Sequence, residues 1–385
     1  MTGHAKLGPS AAERWMTCPG SVVLSEGMPN KSSKFADEGT LGHALGEACL
    51  LDDLPAAAFI GSMFEYEDHG VAKSEIIDAD MALHVQVYVD HVRDLGGVMK
   101  CEQRVAVNEQ VYGTADGVVW QEDTKSLHIV DLKYGAGVAV EVHGNLQLKI
   151  YALATLLTFG YPATTVTATI VQPRCPHSDG PVRSATYDVV DLLDFHADLL
   201  DAIERVNEAK AVKNLNPFLV PSEKGCRWCL ASSKCPQLKS KAQTLAKQVF
   251  APGLPYDAAA LADTLDFLPI LEGWIKNTRE FAYGEAEKGH EVPFYKLVDK
   301  VANRKFKADA AEKLVKDFGL LPEQIYKPAE MLGVGDIQKL VPGKNDKLRA
   351  EALAPYVIKE SSGHTLVHES DKRPAIKVDA KSAFA

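Results

Sequence analysis

The stretch Tyr112-Gly-Thr-Ala-Asp116-Gly-Val-Val-Trp120-Gln-Glu-Asp-Thr-Lys-Ser-Leu-His-Ile-Val-Asp131-Leu-Lys133-Tyr134 decides how this chain is read. Two β-rich runs, Tyr112 to Trp120 and Ser126 to Tyr134, flank the polar turn Glu122-Asp123-Thr124. A third run, Val98 to Val107, precedes them across a turn at Asn108-Glu109. Connections this short predict an antiparallel meander. Asp131 and Lys133 lie two apart on one predicted strand, so both side chains leave the same face. The meander carries Asp116 beside Asp131. Two close carboxylates repel each other, and a divalent cation relieves the repulsion; oxygen ligands of this kind suit Mg²⁺ or Mn²⁺. A neighbouring lysine can orient a water and offset charge that develops at a phosphorus. On these three residues alone, a solvated strand face is the commoner explanation of Asp-x-Lys.

Working outward, Gly135-Ala-Gly137 ends the meander, Leu146 to Phe159 reads as an amphipathic helix, and Thr164 to Val171 as another strand. Gln147 and Tyr151 are four apart on that helix, hence on one face, and both can donate to a phosphate or a base. Upstream, Ser10-Ala-Ala-Glu13 has the pattern of a capping box that opens a short helix ending at Cys18-Pro19-Gly20. A helix from about Glu38 to Leu51 holds His43, and another runs from Asp80 to Leu95. Downstream, Asp191 to about Lys213 is helical and leads into Cys226-x2-Cys229-x5-Cys235. Asp257 to Gly289 reads as mainly helical, Arg304 to Asp317 and Gly335 to Tyr356 as smaller lysine-rich helices, and Ser370 to Ala385 as a polar tail. The expected division is 1–97, a helical region; 98–240, the core with the cysteines; and 241–385, a mainly helical extension.

Of the 385 residues 46% are hydrophobic, enough for a packed core, yet no apolar run is long enough to span a membrane. Met1 to Ser10 lacks a secretory layout, so the expectation is a soluble cytoplasmic protein. The net charge of −10 counts against indiscriminate duplex binding, though a basic groove can sit on an acidic protein. The chain has seven cysteines, unevenly placed. The tight cluster, with Cys18 far upstream, fits metal binding better than a disulfide framework. Its spacing alone suits four-thiolate zinc or an iron–sulfur cluster. Cys49, Cys101 and Cys175 read as small buried hydrophobes.

The series His43, Gly113-Thr-Ala-Asp116, Asp131-Leu-Lys133 and Gln147-Leu-Lys-Ile-Tyr151 resembles the motif order of RecB-type nucleases of the PD-(D/E)XK superfamily. The resemblance runs from Ser10 to about Leu238 and implies an α/β fold: an αβββαβ nuclease core, a mixed sheet flanked by helices. It further implies that His43, Asp116, Asp131 and the Leu132 carbonyl bind Mg²⁺ or Mn²⁺, that Lys133 is catalytic, and that Gln147 and Tyr151 contact a DNA strand. Glu102, on the strand before Asp116, is a supporting acid in this reading. Cys18, Cys226, Cys229 and Cys235 are placed as in the iron–sulfur branch, which includes CRISPR-associated adaptation nucleases and AddB, and so imply a [4Fe–4S] cluster, with Zn²⁺ as the alternative. The whole chain further resembles a phage and prophage family of uncharacterised nucleases. The expected activity is exonucleolytic, on single-stranded DNA or DNA ends, alongside phage recombination or replication proteins and away from any membrane. The rivals are a non-catalytic DNA-binding scaffold and a zinc-stapled nuclease acting on RNA. Lysines and arginines from Lys300 to Lys316 either contact phosphates or form a solvated face.

Overall fold

The computed structural model describes residues 5–28, 34–68, 71–249, 258–297 and 346–354. The chain divides into a compact unit Met1–Lys300 and a second unit Val301–Ala385.

The first unit begins with two short helices, α1 (Ala12–Thr17) and α2 (Gly20–Leu24). The capping box expected at Ser10 is not formed. A 3-10 turn, Pro9–Ala11, starts the segment instead, with proline at its first position where a missing N–H costs nothing. Ala11 N–H bonds the Gly8 carbonyl at 3.1 Å, and Trp15 Nε1 donates to the same carbonyl at 3.1 Å. Helix α3 (Lys34–Leu51) follows, then a hairpin of β1 (Met63–Asp68) and β2 (Val71–Ile76) that the sequence reading did not anticipate. Helix α4 (Ala79–Leu95) is capped by Asp78, whose carboxylate accepts from Met81 N–H.

The central sheet has five strands in the order β3 (Val98–Ala106), β4 (Tyr112–Gln121), β5 (Ser126–Leu132), β6 (Thr165–Val171) and β7 (Val182–Asp188). The first three form the expected antiparallel meander. Helix α5 (Leu146–Phe159) crosses over to set β6 parallel to β5, as a parallel pair requires. Strand β7 then closes the edge antiparallel to β6. The result is a mixed α/β fold, with helices on both faces of the sheet. Leu41, Leu45, Cys49, Val85 and Val89 of α3 and α4 cover Val119, Val130 and Leu132 on one face. Tyr151, Ala152 and Ala154 of α5 cover Val118, Leu127 and Ile129 on the other. Helix α6 (Val189–Ala211) lays Phe195, Leu199, Ile203 and Val206 against α5 and Trp15, an apolar stripe of helical period. Helix α5 itself is not amphipathic: Leu148 through Thr155 are all buried except Lys149, because α6 and α1 cover the side that the sheet leaves open.

Past the sheet come α7 (Glu223–Arg227), α8 (Pro236–Val249) and α9 (Ala258–Glu287). In the second unit, α10 (Asp346–Leu353) lies within the segment expected to be helical. The lysine-rich segment 304–317 and the tail 370–385 lie outside the described residues. No helix among the described residues is long and apolar enough to cross a membrane.

Candidate functional site

The site begins with a break in strand alternation. On β4, Gly113 and Ala115 face α5, where a methyl on Gly113 would lie 2.9 Å from Tyr151 Cε1. Two residues on, Gly117 and Val119 face α4, with Tyr88 Oη 3.0 Å from a methyl on Gly117. Strand β3 makes the same switch, with Val105 toward α5 and Cys101 toward α4. Between them stand Glu102 and Asp116, skipped in a register that pairs Cys101 with Gly117 and Gln103 with Ala115. Glu102 carries the strain, at φ 46°, a left-handed conformation unusual for a residue with a Cβ. The pleat therefore turns over at one point, and two carboxylates meet there.

His43 of α3 completes the group. Its Nδ1 lies 3.4 Å from Asp116 Oδ2 and 3.9 Å from Glu102 Oε1. One ligand atom from each of His43, Glu102 and Asp116 lies within 4.8 Å of the others. Gly42 explains how α3 comes so near: a Cβ there would stand 3.0 Å from Tyr134 Cγ. Electrostatics follow from the crowding. Burial alone would lower the His43 pKa, but Asp116, Glu102 and Asp131 push it up to about 9. Burial, then Asp116, raises Glu102 to about 7. Burial alone would raise Asp116, but His43, Lys133 and the Leu132 N–H together pull it below its ordinary value. A set of one imidazole and two carboxylates that shares its charge so uneasily fits a Mn²⁺ or Mg²⁺ ion by donor chemistry.

Asp131 sits beside this trio and is otherwise engaged. Its Oδ2 is 2.9 Å from Lys133 Nζ and its Oδ1 accepts from Gln147 Nε2 at 3.2 Å. Lys133 Nζ in turn donates to Gln147 Oε1 at 3.2 Å. Asp131 and Lys133 do share a face, as period-two reasoning requires, and Gln147 of α5 closes a triangle over them. Burial and Asp116 hold Asp131 above its ordinary pKa against the pull of Lys133, while Asp131 and Asp116 raise Lys133 against its burial. The Leu132 backbone takes part through its N–H, which donates to Asp116 Oδ2 at 2.8 Å where the β4–β5 ladder stops at Gly117 and Val130. The closest ligand set thus has Glu102 in it, with Asp131 alongside and engaged by Lys133. Strict strand alternation hid that outcome, because it keeps Glu102 and the Asp116 carboxylate on fixed faces. Tyr151 packs against Gly113 with its phenol raised well above its ordinary pKa by burial.

The loop after Lys133 is held from behind. Arg183, 4% exposed, donates to the carbonyls of Gly180 and Val140 at 2.7 and 3.0 Å and to Gln172 Oε1 at 2.9 Å. Gln172 Nε2 donates to the carbonyls of Gly135 and Val138. These two buried side chains fix residues 135–140 between the lysine and α5.

The four cysteines form a second centre. Cys18, Cys226, Cys229 and Cys235 line one pocket, and all four are free thiols. Cys18 Sγ accepts from Val220 N–H at 3.2 Å and Cys235 Sγ from Leu238 N–H at 3.5 Å. Burial pushes up the thiols of Cys18, Cys226 and Cys235, that of Cys226 to about 11, with backbone N–H groups opposing it at Cys18 and Cys235. The clasp is tight because glycine stands at both approaches: a methyl on Gly20 would lie 2.9 Å from Leu219 Cδ2, and one on Gly225 2.7 Å from Ser222 Oγ. Ile270, Leu271 and Trp274 of α9 pack on Cys18 and Cys235. Four convergent sulfurs, some already receiving N–H bonds, fit a metal-thiolate centre. Cys49, Cys101 and Cys175 are buried and lie outside it.

Residues 4–374 match the sequence pattern of a family described as a protein of unknown function, DUF2800. The chain belongs to the DUF2800 family. Among solved structures, one titled "Crystal structure of SSO0001" is similar at 13% identity, covering 61% of this chain and 88% of that one. Its TM-score of 0.25 is too low to establish a shared fold.

Proposed function

We propose that this DUF2800 chain is a Mg²⁺- or Mn²⁺-dependent DNA nuclease, with the helix α4, β3, β4, β5, α5 and β6 forming a RecB-type PD-(D/E)XK core. The observation that carries the reading is the convergence of His43, Glu102 and Asp116 within 4.8 Å, beside Asp131 and Lys133. A divalent ion in this cradle would polarise a phosphoryl oxygen and acidify a water. The protein's own part is to hold that centre and to aim charge. Asp116 keeps its carboxylate oriented through the Leu132 N–H, and Lys133, protonated between Asp131 and Gln147, supplies positive charge where the phosphate becomes more negative. Gln147 and Tyr151, one turn apart on α5, face the strand to be cut.

The cysteine pocket is, in this reading, a [4Fe–4S] clasp. Four thiolates around one zinc, at about 2.3 Å each, would stand about 3.8 Å apart. A [4Fe–4S] cluster takes four thiolates as well; the pocket that Cys18, Cys226, Cys229 and Cys235 share admits either group, and the motif resemblance is what favours the cluster. The substrate we assign is DNA, single-stranded or with a free end, degraded exonucleolytically in phage-type recombination or replication.

Single strands labelled at the 5′ or 3′ end, incubated with Mn²⁺, Mg²⁺ or EDTA, test this. Asp116→Asn keeps an acceptor for the Leu132 N–H and removes the charge, so it should fold normally and cut at least about a hundredfold more slowly. A wild-type protein that binds the strands and never cuts them would favour the scaffold alternative, and cleavage of RNA alone would redirect the substrate assignment. Equal rates for Asp116→Asn and wild type would dismiss the site.

A further inference from the structure

The thiol pocket has walls of Leu24, Leu219, Val220 and Leu238, and into this apolar lining comes one hydroxyl with nothing to bond. Ser21 is 2% exposed, and its Oγ has no hydrogen-bond partner among the described residues. It is not free to turn away. Ser21 N–H bonds the Cys18 carbonyl at 2.9 Å and also reaches the Cys18 sulfur, and Gly20 before it is pressed against Phe218 and Leu219. The other pocket serine differs: Ser232 Oγ already accepts from Asn277 Nδ2 at 2.7 Å. A buried hydroxyl left unbonded in apolar surroundings is costly, and such groups nearly always find an acceptor. The acceptors that a filled pocket offers are sulfurs.

We propose that Ser21 Oγ–H donates a hydrogen bond to a sulfur of the iron–sulfur cluster held by Cys18, Cys226, Cys229 and Cys235, and thereby raises the cluster's reduction potential. This inference rests on the iron–sulfur reading above. One-electron reduction adds negative charge to the sulfurs, so a donor aimed at them stabilises the reduced state more than the oxidised one. Without the donor the cluster is harder to reduce.

The experiment uses the full chain purified without oxygen, as wild type, Ser21→Ala and Ser21→Thr, with iron and sulfide measured on each. Dithionite titration followed by electron paramagnetic resonance gives the ratio of reduced to oxidised cluster at a fixed ambient potential. Double resonance in H₂O and D₂O detects an exchangeable proton coupled to the reduced cluster. Ser21→Ala should keep the iron and sulfide, lower the ratio about three- to tenfold, and lose one exchangeable coupling while those of the Val220 and Leu238 N–H groups remain; Ser21→Thr should restore both. A cluster of unchanged potential and unchanged proton coupling in Ser21→Ala overturns the role of Ser21 and leaves the cluster standing. If Ser21→Ala fails to hold its cluster, the wild-type spectrum decides, since absence of any exchangeable proton beyond those of the backbone N–H groups on the cysteine sulfurs overturns the proposal. Wild-type protein with zinc, or with neither iron nor sulfide, removes the cluster reading itself.

Discussion

Replacing Lys133 with alanine strips the countercharge from a carboxylate that is almost wholly out of water. The Asp131 side chain is 5% exposed and the Lys133 side chain 26%. Removing one partner of a buried pair typically costs 3–5 kcal/mol, because the remaining charge is stranded. Here Gln147 Nε2 still donates to Oδ1, and the partly open lysine leaves a path for water. These two effects bring the expected loss to about 2–3 kcal/mol. The pH dependence has a definite sign. Burial already holds the Asp131 pKa above its ordinary value while Lys133 pulls it down, so Lys133→Ala lets it climb further. An acid whose folded-state pKa exceeds its unfolded one destabilises the fold above the unfolded pKa, and that penalty fades as pH falls through the folded value. The deficit of Lys133→Ala relative to wild type should therefore shrink as pH falls from neutral toward the ordinary carboxylate range. Urea unfolding followed by circular dichroism, in EDTA, measures it at each pH, and Asp131→Asn in the same background should recover at least about 1 kcal/mol. A loss under about 0.5 kcal/mol, or one that stays constant with pH, would show that the pair is not a buried, charge-balanced unit.

Gly42→Ala reverses the usual helix rule. Alanine normally gains about 1 kcal/mol over glycine inside a helix, but here its methyl would press Tyr134, which lies under the Arg174 guanidinium at 4.6 Å. Thermal unfolding should show a net loss of about 1–2 kcal/mol and weaker Mn²⁺ binding as α3 lifts; a higher midpoint would refute the close contact. Glu102→Gly should do the opposite, relieving a left-handed backbone for a gain of about 1 kcal/mol while Mn²⁺ affinity, followed by electron paramagnetic resonance, drops at least about tenfold. Arg183→Met should cost about 2–3 kcal/mol by removing the donors to Gln172 Oε1 and to the carbonyls of Gly180 and Val140, and hydrogen exchange should speed up across residues 135–140 first.

Much of the core was legible because local signals agreed with one another. The runs Val98 to Val107, Tyr112 to Trp120 and Ser126 to Tyr134 became β3, β4 and β5, and the helix read as Leu146 to Phe159 has those bounds. Period-two reasoning placed Asp131 and Lys133 on one face and helical spacing put Gln147 on one face with Tyr151, but that Gln147 turns to Asp131 and Lys133 was seen only in the structure. What escaped was whatever tertiary contact decides. Strand β1 does alternate, with Phe64 and Tyr66 packed into the core about an exposed Glu65, but the run is short, and β2, with Lys73, Ser74 and Glu75 in succession, lacks the alternation that marks a half-buried strand. Strand β7, Val-Arg-Ser-Ala-Thr-Tyr-Asp, was not read from the sequence, because it buries an arginine at a position that strand alternation ordinarily gives to a hydrophobe. The capping box failed because Pro9 started the turn first. Nor does sequence spacing show that Asp131→Ala would disturb folding, since Asp-x-Lys looks the same whether the pair is solvated or buried. The Glu102 and Asp116 switch was hidden for a deeper reason: a positive φ in a glutamate has no local sequence signal, and only the packing of Tyr88 and Tyr151 on opposite faces imposes it.

The thiol clasp sets an order of events during synthesis. Cys18 leaves the ribosome early, yet its partners Cys226, Cys229 and Cys235 emerge some two hundred residues later, a wait of roughly ten to forty seconds at ordinary elongation rates. Over that interval α1 and α2 have no seat, and the edge of α5 and α6 that Trp15 covers stays bare. A nascent chain is thus unfinished at its beginning until its middle has been made, so the N-terminal side of this fold is closed from a distance and late.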